Sequence, residues 1–291
     1  MAPKVVEGLV NRITEAEGLD KVTEPLSDAL STVLGQRPVK DALSGMWIGH
    51  PLHPLLTDVT IGAWTSAFFL DVFGHESTEK AADTLVGVGV LSAVPTVLTG
   101  YSDWSDLFGE PKRLGLVHAM FNAGAITCYS LSWLARRRGD RGRGLALGLL
   151  GATVATVGGY LGGHLSYRKG VNVDRNAWVD PPSGWETVLG VTELPEGDRR
   201  VVRAGDVDVL LANDGGAIHA IAAVCGHAGG PLEKNDIEGG CVTCPWHGST
   251  FRLADGWVVH GPATGPQPAF DVRVTDGEIS VRHRSRSRSH S

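Results

Sequence analysis

The sequence predicts a multidomain chain, an N-terminal all-α transmembrane bundle of about four helices followed by a C-terminal all-β domain, on three observations. The first is a set of uncharged apolar runs at residues 84–102, 114–135 and 144–167, each near or above the roughly 20 residues that cross a bilayer. The second is the polar stretch "RKGVNVDRNAWVDPPSG", whose Pro-Pro break marks a change of composition. The third is the train of short alternating segments beyond residue 184, among them "RRVVRA", "VDVLLA", "AIHAIAAV" and "EISVRH", with Asp-Gly turns beside them, the pattern of antiparallel strands.

In chain order, residues 1–45 read as an amphipathic segment, because Val6, Leu9, Val10 and Ile13, then Val22, Leu26, Leu30 and Val33, recur at helical period among charges. No signal-peptide apolar core is present there. Residues 46–167 hold the four transmembrane helices. The first of these, residues 55–74, carries Asp58 and Asp71 near its ends, where interfacial water reaches them. In the last, Gly144 and Gly148, Gly158 and Gly162, and Gly159 and Gly163 repeat the small-xxx-small spacing that lets backbones approach where lipid supplies no hydrophobic drive. Residues 168–184 form a linker, 185–283 the β domain, and the basic low-complexity stretch 284–291 a disordered tail.

Composition narrows the function classes. A net charge of −6 with only local basic stretches supplies no electrostatic footprint for nucleic acid. Gly stands at 39 residues, about twice its average share, and in the first half of the chain it is concentrated inside apolar runs rather than in linkers. The four cysteines are too few for a disulfide scaffold, and three of them fall within residues 225–244, which points to ligands.

The chemistry is concentrated in "CGHAGGPLEKNDIEGGCVTCPWHGSTF", residues 225–251. Cys225 and His227 stand in one Gly- and Pro-rich loop, Cys244 and His247 in another. Two irons bridged by sulfide need four terminal donors, and thiolates on one iron with imidazoles on the other localise the added electron and raise the potential. The rival is zinc held by Cys225, Cys241, Cys244 and one His. Zinc leaves unexplained why each loop brings its own Cys and its own His. Outside that set, Cys241 reads as an ordinary strand thiol, with a redox-sensing thiol as the alternative.

The pattern C-x-H-x16-C-x-x-H, continued by "GSTF" and by "GPATGPQP", resembles the Rieske iron–sulfur domain over residues 185–283. The resemblance implies a [2Fe-2S] cluster with Cys225 and Cys244 on one iron and His227 and His247 on the other. It further implies that Gly229, Gly230 and Gly248 let backbone amides turn toward sulfur, and that "GPATGP", with Pro262, forms a lid loop. Relatives in respiratory cytochrome bc complexes carry an extra Cys in each loop, joined as a disulfide, where this chain has Gly230 and Trp246. The chain thus resembles the ferredoxin-like variant. Ser249 stands where a hydroxyl donates to a bridging sulfur, and Phe251 where high-potential members place a Tyr hydroxyl. These departures imply a potential in the lower or middle part of the roughly −150 to +300 mV Rieske span. Ring-hydroxylating oxygenases also contain this domain but follow it with a large iron-binding domain, whereas few residues follow it here. The expected role is an electron-transfer oxidoreductase component, serving a redox partner protein, and not a complete ring-hydroxylating oxygenase. Other readings are a redox-sensing membrane module, or a subunit of a quinol- or haem-linked oxidoreductase.

The membrane part, with "GHPLHP" at residues 49–54, resembles bacterial four-helix membrane domains of unassigned function. With alternating helices, His50, His53, His118 and His164 share one face with the β domain. They admit three roles: haem b ligation, with His118 and His164 at matching depth; a quinone or metal contact; or bonds to backbone carbonyls. The Arg-rich hairpin "RRRGDRGRG" argues that the opposite face is cytoplasmic. Basic residues on the cluster face nearly balance it, and the charged N-terminal segment resists translocation, which tips the expectation to a cell-membrane, multi-pass protein with a cytoplasmic cluster domain.

Overall fold

A computed structural model of the chain describes residues 2–284. It separates into two compact units, one formed by the residues up to Val39 with Pro51–Val171, the other by Lys40–His50 with the chain from Asn172 onward. Of the tail expected over residues 284–291, all but Arg284 lies outside the described residues. Arg284 itself bonds Asp271 Oδ1 at 2.8 Å and the Ala254 carbonyl at 2.7 Å.

The helices are α1 (Ala2–Thr14), α2 (Asp20–Leu34), α3 (Arg37–Ser44), α4 (Leu52–Phe73), α5 (Glu79–Ser105), α6 (Gly109–Arg137) and α7 (Arg141–Tyr167). The last four are long and apolar enough to cross a membrane. The leader is pinned to the first turns of α6: Arg113 grips Asp20 through Nε and Nη2 at 2.7 and 2.6 Å and donates to the Thr14 carbonyl, while Lys112 reaches Glu24 at 3.3 Å. Val10 buries beside Leu114, Leu161 and Leu165. Val6, Leu9, Val22, Leu26 and Val33 stay outward, so only part of the predicted apolar stripe is covered within this unit.

The four long helices form two hairpins that repeat one design. His53, Trp64 and Asp71 of α4 recur at identical spacing as His118, Tyr129 and Arg136 of α6. Glu79, Gly89, Thr96 and Gly100 of α5 recur in the same way as Arg141, Gly151, Gly158 and Gly162 of α7. Counterparts meet: Trp64 stacks on Tyr129 with centroids 4.0 Å apart, Arg136 donates to Asp71 at 3.0 Å, and Arg141 bonds Glu79 at 2.9 Å. The first hairpin is acidic where the second is basic, so their attraction sets the pairing. Where spacing alone leaves Asp71 to interfacial water, the structure gives it to Arg136 and Arg141, because an ion at that depth is cheaper paired than solvated alone. Arg136, fully buried, also bonds Asp83 and Ser132. Of the three small-residue pairs in α7, Gly144–Gly148 faces Arg136 and Ser132 and Gly158–Gly162 faces Asn122 and His118. A Cβ added at Gly159 would meet nothing, because one residue turns the backbone off the contact face.

The β unit contains β1 (Glu186–Gly190), β2 (Arg199–Ala204), β3 (Val207–Asp214), β4 (Ala217–Ala222), β5 (Ile237–Glu238), β6 (Cys241–Thr243), β7 (Thr250–Arg252), β8 (Val258–His260), β9 (Ala269–Thr275) and β10 (Glu278–His283). A six-stranded sheet has the order β1-β10-β9-β4-β3-β2, and its β4 leads into the first Cys-His loop; a four-stranded sheet, β5-β6-β7-β8, carries the second. Leu210, Ile221, Leu232, Val242, Phe251 and Leu253 are fully buried in one core shared with Cys225 and Cys244. Residues 40–50 join this unit although they precede the long helices in sequence, with Met46 packed against the same core.

Candidate metal centre

Two loops of the same construction carry the donors, one following β4 of the large sheet and one joining β6 to β7 of the small sheet. In each, the Cys amide donates to the carbonyl five residues on and the Cys carbonyl accepts from the glycine four residues on. For Cys225 the partners are Gly230 O and Gly229 N, both at 2.9 Å; for Cys244 they are Ser249 O at 2.7 Å and Gly248 N at 3.1 Å. This closure requires positive φ at the fourth residue, and Gly229 at +87° and Gly248 at +79° supply it where a side chain would be strained.

The closure decides where the donors go. Cys225 and Cys244 are buried, 1% and 3% exposed, and hydrogen-bond to one another, whereas the His227 and His247 rings stand edge to face at 5.0 Å on the half-buried side. Backbone N–H groups of His227 and Ala228 point to the Cys225 sulfur, and those of Trp246 and His247 to the Cys244 sulfur. Donation from Cys225 draws the Cys244 thiol down to about 6, and the same bond, reinforced by burial, pushes Cys225 upward. The pair therefore loses its first proton readily and holds the second.

This donor set fits a two-iron, two-sulfide cluster. Backbone amides converging on two buried sulfurs stabilise anionic sulfur, and a thiol pair beside an imidazole pair matches two metal atoms with unlike ligands. Among the described residues no three His, Cys, Asp or Glu side chains are arranged around a single ion. Cys241 pairs with Arg252 in the β6–β7 ladder, on the strand face opposite Val242 and Cys244, so the two cysteines point apart. That parity removes Cys241 from the three-cysteine zinc set.

The neighbouring positions are also placed. A Cβ added at Gly230 would lie 2.5 Å from Cys244 Sγ and 3.2 Å from the Trp246 ring, so these two positions are adjacent, filled by close backbone approach and an indole. Ser249 is fully buried and its Oγ accepts from the Ala263 amide at 2.9 Å, which ties the second loop to the lid at 261–266 and leaves the hydroxyl proton to donate. Phe251 is buried in the core beside both cysteines. Pro262 follows a cis Gly261–Pro262 bond in the lid.

Sequence reading did not single out two braces beneath the first loop. Gln267 Nε2 donates to Val224 O at 2.7 Å, and Gln267 Oε1 accepts from the Gly226 amide and from Asn176 Nδ2. Asn176 belongs to the stretch expected to be a plain linker, yet it is 8% exposed. Nothing in its flanks, Arg175 and Ala177, marks it out.

Of the four membrane-part histidines, three belong to the helical unit and one to the β unit. His50 is exposed and belongs to the β unit. His53 Nδ1 bonds the Thr96 carbonyl at 2.9 Å, with Gly100 against its ring; His118 Nδ1 bonds the Gly158 carbonyl at 2.8 Å, with Gly162 against its ring. The counterpart of His118 is therefore His53. His164 lies beside Tyr160, 6.5 Å between centroids. A cavity of about 250 Å³, lined among others by Trp64, Asp71, Tyr129 and Arg136, is bounded by none of these histidines.

Comparison with known proteins matches the chain in two segments. A family model described as Rieske [2Fe-2S] domain matches residues 184–271, and one described as predicted membrane protein (DUF2231) matches residues 49–175. Ferredoxin CarAc of Metapseudomonas resinovorans is 30% identical over 98 residues, 33% of this chain and 92% of that protein. Apoptosis-inducing factor 3 of Mus musculus is 35% identical over 96 residues, 33% of this chain but only 16% of that protein. The solved ferredoxin of carbazole 1,9a-dioxygenase from Nocardioides aromaticivorans IC177 is 26% identical, covering 35% of this chain and 100% of that one, with a TM-score of 0.33.

Proposed function

The chain belongs to the Rieske [2Fe-2S] family through its β unit, and on that premise we propose that it relays single electrons between a donor and an acceptor protein while anchored in a membrane by α4–α7. In this reading Cys225 and Cys244 hold one iron and His227 and His247 the other. The observation that carries it is the sorting of donors by depth: both sulfurs are buried while the two histidines are only half-buried. Once bound, the cluster supplies a one-electron couple.

The residues of the chain set its conditions. The four amides aimed at the two sulfurs withdraw charge from them and raise the potential, and Ser249 adds to this by donating its remaining proton toward the cluster. Phe251, lacking a hydroxyl, adds nothing, which holds the potential below the top of the span. Leu232, Phe251 and Leu253 exclude water from the sulfur side. Electron exchange would take place on the imidazole side, where exposed Pro245 and Trp246 offer a partner surface.

The β unit is assigned to the cytoplasmic side. Two arginines of the hairpin that argued for the reverse, Arg136 and Arg141, are committed to Asp71, Asp83 and Glu79 and count less as free positive charge. His53 and His118 are read as interhelical hydrogen-bonding groups, from their carbonyl partners.

Iron, sulfide and zinc analysis with low-temperature EPR on the purified full-length protein tests the reading. It expects two irons and two sulfides per chain, and a rhombic signal after dithionite with a mean g-value below that of all-Cys ferredoxins. Zinc in place of iron, with no such signal, would overturn it.

A further inference from the structure

The lid over the candidate centre is held from an unexpected part of the chain. Asp41, in α3, accepts from the Gly261 amide through Oδ1 at 2.8 Å and bonds His260 Nδ1 through Oδ2 at 2.9 Å. Ser44, one turn on, packs so closely that a Cβ added at Gly261 would lie 2.8 Å from its Oγ. Met46 then enters the core that contains both cysteines. On its other side the lid is tied by the Ala263 amide to Ser249 Oγ, and Ser249 O accepts from the Cys244 amide. A short run of bonds thus leads from the Asp41 carboxylate, through Gly261 and Ala263, to the loop bearing Cys244.

We propose that Asp41 is a positioning residue of the cluster site: its carboxylate clamps the His260–Gly261 end of the lid, and so sets the water access and the electrostatic field at the cluster. This rests on the assignment of Cys225, His227, Cys244 and His247 as ligands. The anchoring is built in sequence just ahead of α4, so the chain that leads into the first apolar helix is also a wall of the redox site. A carboxylate at this place does two things with the same sign. Reduction takes two ferric irons, two sulfides, two thiolates and neutral imidazoles from neutral to singly negative, so a nearby negative charge opposes it. A closed lid also withholds the water that would solvate the added charge. Removing the carboxylate therefore makes reduction easier.

The test uses the full-length protein with Asp41→Ala, Asp41→Asn and Asp41→Glu, measuring iron content, midpoint potential by EPR-monitored titration, and hydrogen exchange of residues 260–264. Asp41→Ala and Asp41→Asn are expected to keep their iron, to shift the potential upward, and to exchange the lid amides about tenfold faster, the factor lost with a charge-assisted hydrogen bond. Asp41→Glu should recover part of both effects. Should Asp41→Ala fail to fold, His260→Ala removes one of the two lid contacts while leaving the carboxylate in place, and is expected to speed lid exchange without the upward shift in potential that loss of the charge brings. Loaded variants with unchanged potential and unchanged lid exchange would overturn the proposal. A wild-type protein that holds no iron–sulfur cluster would instead overturn the ligand assignment, and lid exchange in the same variants would still decide whether Asp41 clamps the loop.

Discussion

In the β unit Cys225, Cys244, His227 and His247 are carried by two loops of one construction to a common edge, with backbone amides directed at the sulfurs. In the helical unit the groups of comparable cost, Arg136, Asp71, His53 and His118, are each taken up by a side chain or carbonyl of the same unit. Both regions are duplications of a small motif, a Cys-His-Gly loop in one and a helical hairpin in the other. The β unit duplicates donors so that they add, two sulfurs beside two imidazoles. The helical unit duplicates positions so that they cancel, acid against base and indole against phenol. Buried polarity is therefore a sign of a ligand site only where the fold leaves it directed at a common space.

The sharpest way to break this comparison is to remove a donor. Cys244→Ser is expected to reduce cluster iron and the EPR signal to background while leaving the helical unit intact; substantial retention would mean the sulfur is not a ligand. Next in size is Arg136→Ala, which leaves Asp71 and Asp83 to Arg141 alone and should cost about 3 kcal/mol, the lower end for a broken buried pair, read as loss of thermal stability in detergent. Gly89→Ala places a Cβ 2.2 Å from the Trp64 indole nitrogen, an overpacking worth roughly 1–3 kcal/mol, with the cluster signal unchanged. His118→Ala removes one interhelical bond and should cost about 1 kcal/mol without altering iron content or potential. A haem absorbance that vanishes with His118 would turn that residue into a ligand and dissolve the contrast.

The smallest effect concerns acid. Bonds from Arg284 and then Arg282 hold the Asp271 carboxyl below its ordinary 3.8. A folded-state value depressed in this way contributes stability above the unfolded value and loses it as pH falls through the folded one. Asp271→Asn should therefore flatten the stability curve of the protein below about pH 4 and change little near neutrality.

The donor pattern was legible because it is local. Cys-x-His and Cys-x-x-His with glycines four residues after each Cys describe loops whose closure depends on a few adjacent dihedrals, so spacing alone foretells that the donors project together. The apolar runs were legible because span length and hydropathy are properties of a segment. The braces were not. Gln267 and Asn176 are ordinary polar residues until Val224 and Gly226 are placed beside them, and the stretch holding Asn176 has the composition of a linker.

By itself, then, the sequence determined the two-part architecture, the four long apolar helices and the loop chemistry of residues 225–251, because each follows from short-range spacing and from burial demanded by composition. Only the tertiary structure decided that His118 answers to His53 rather than His164, that Asp71 meets Arg136, and that Asp41 reaches across more than two hundred residues of chain to the lid at Gly261. Those choices depend on which distant surfaces pack together, and no window along the chain contains both halves of such a contact.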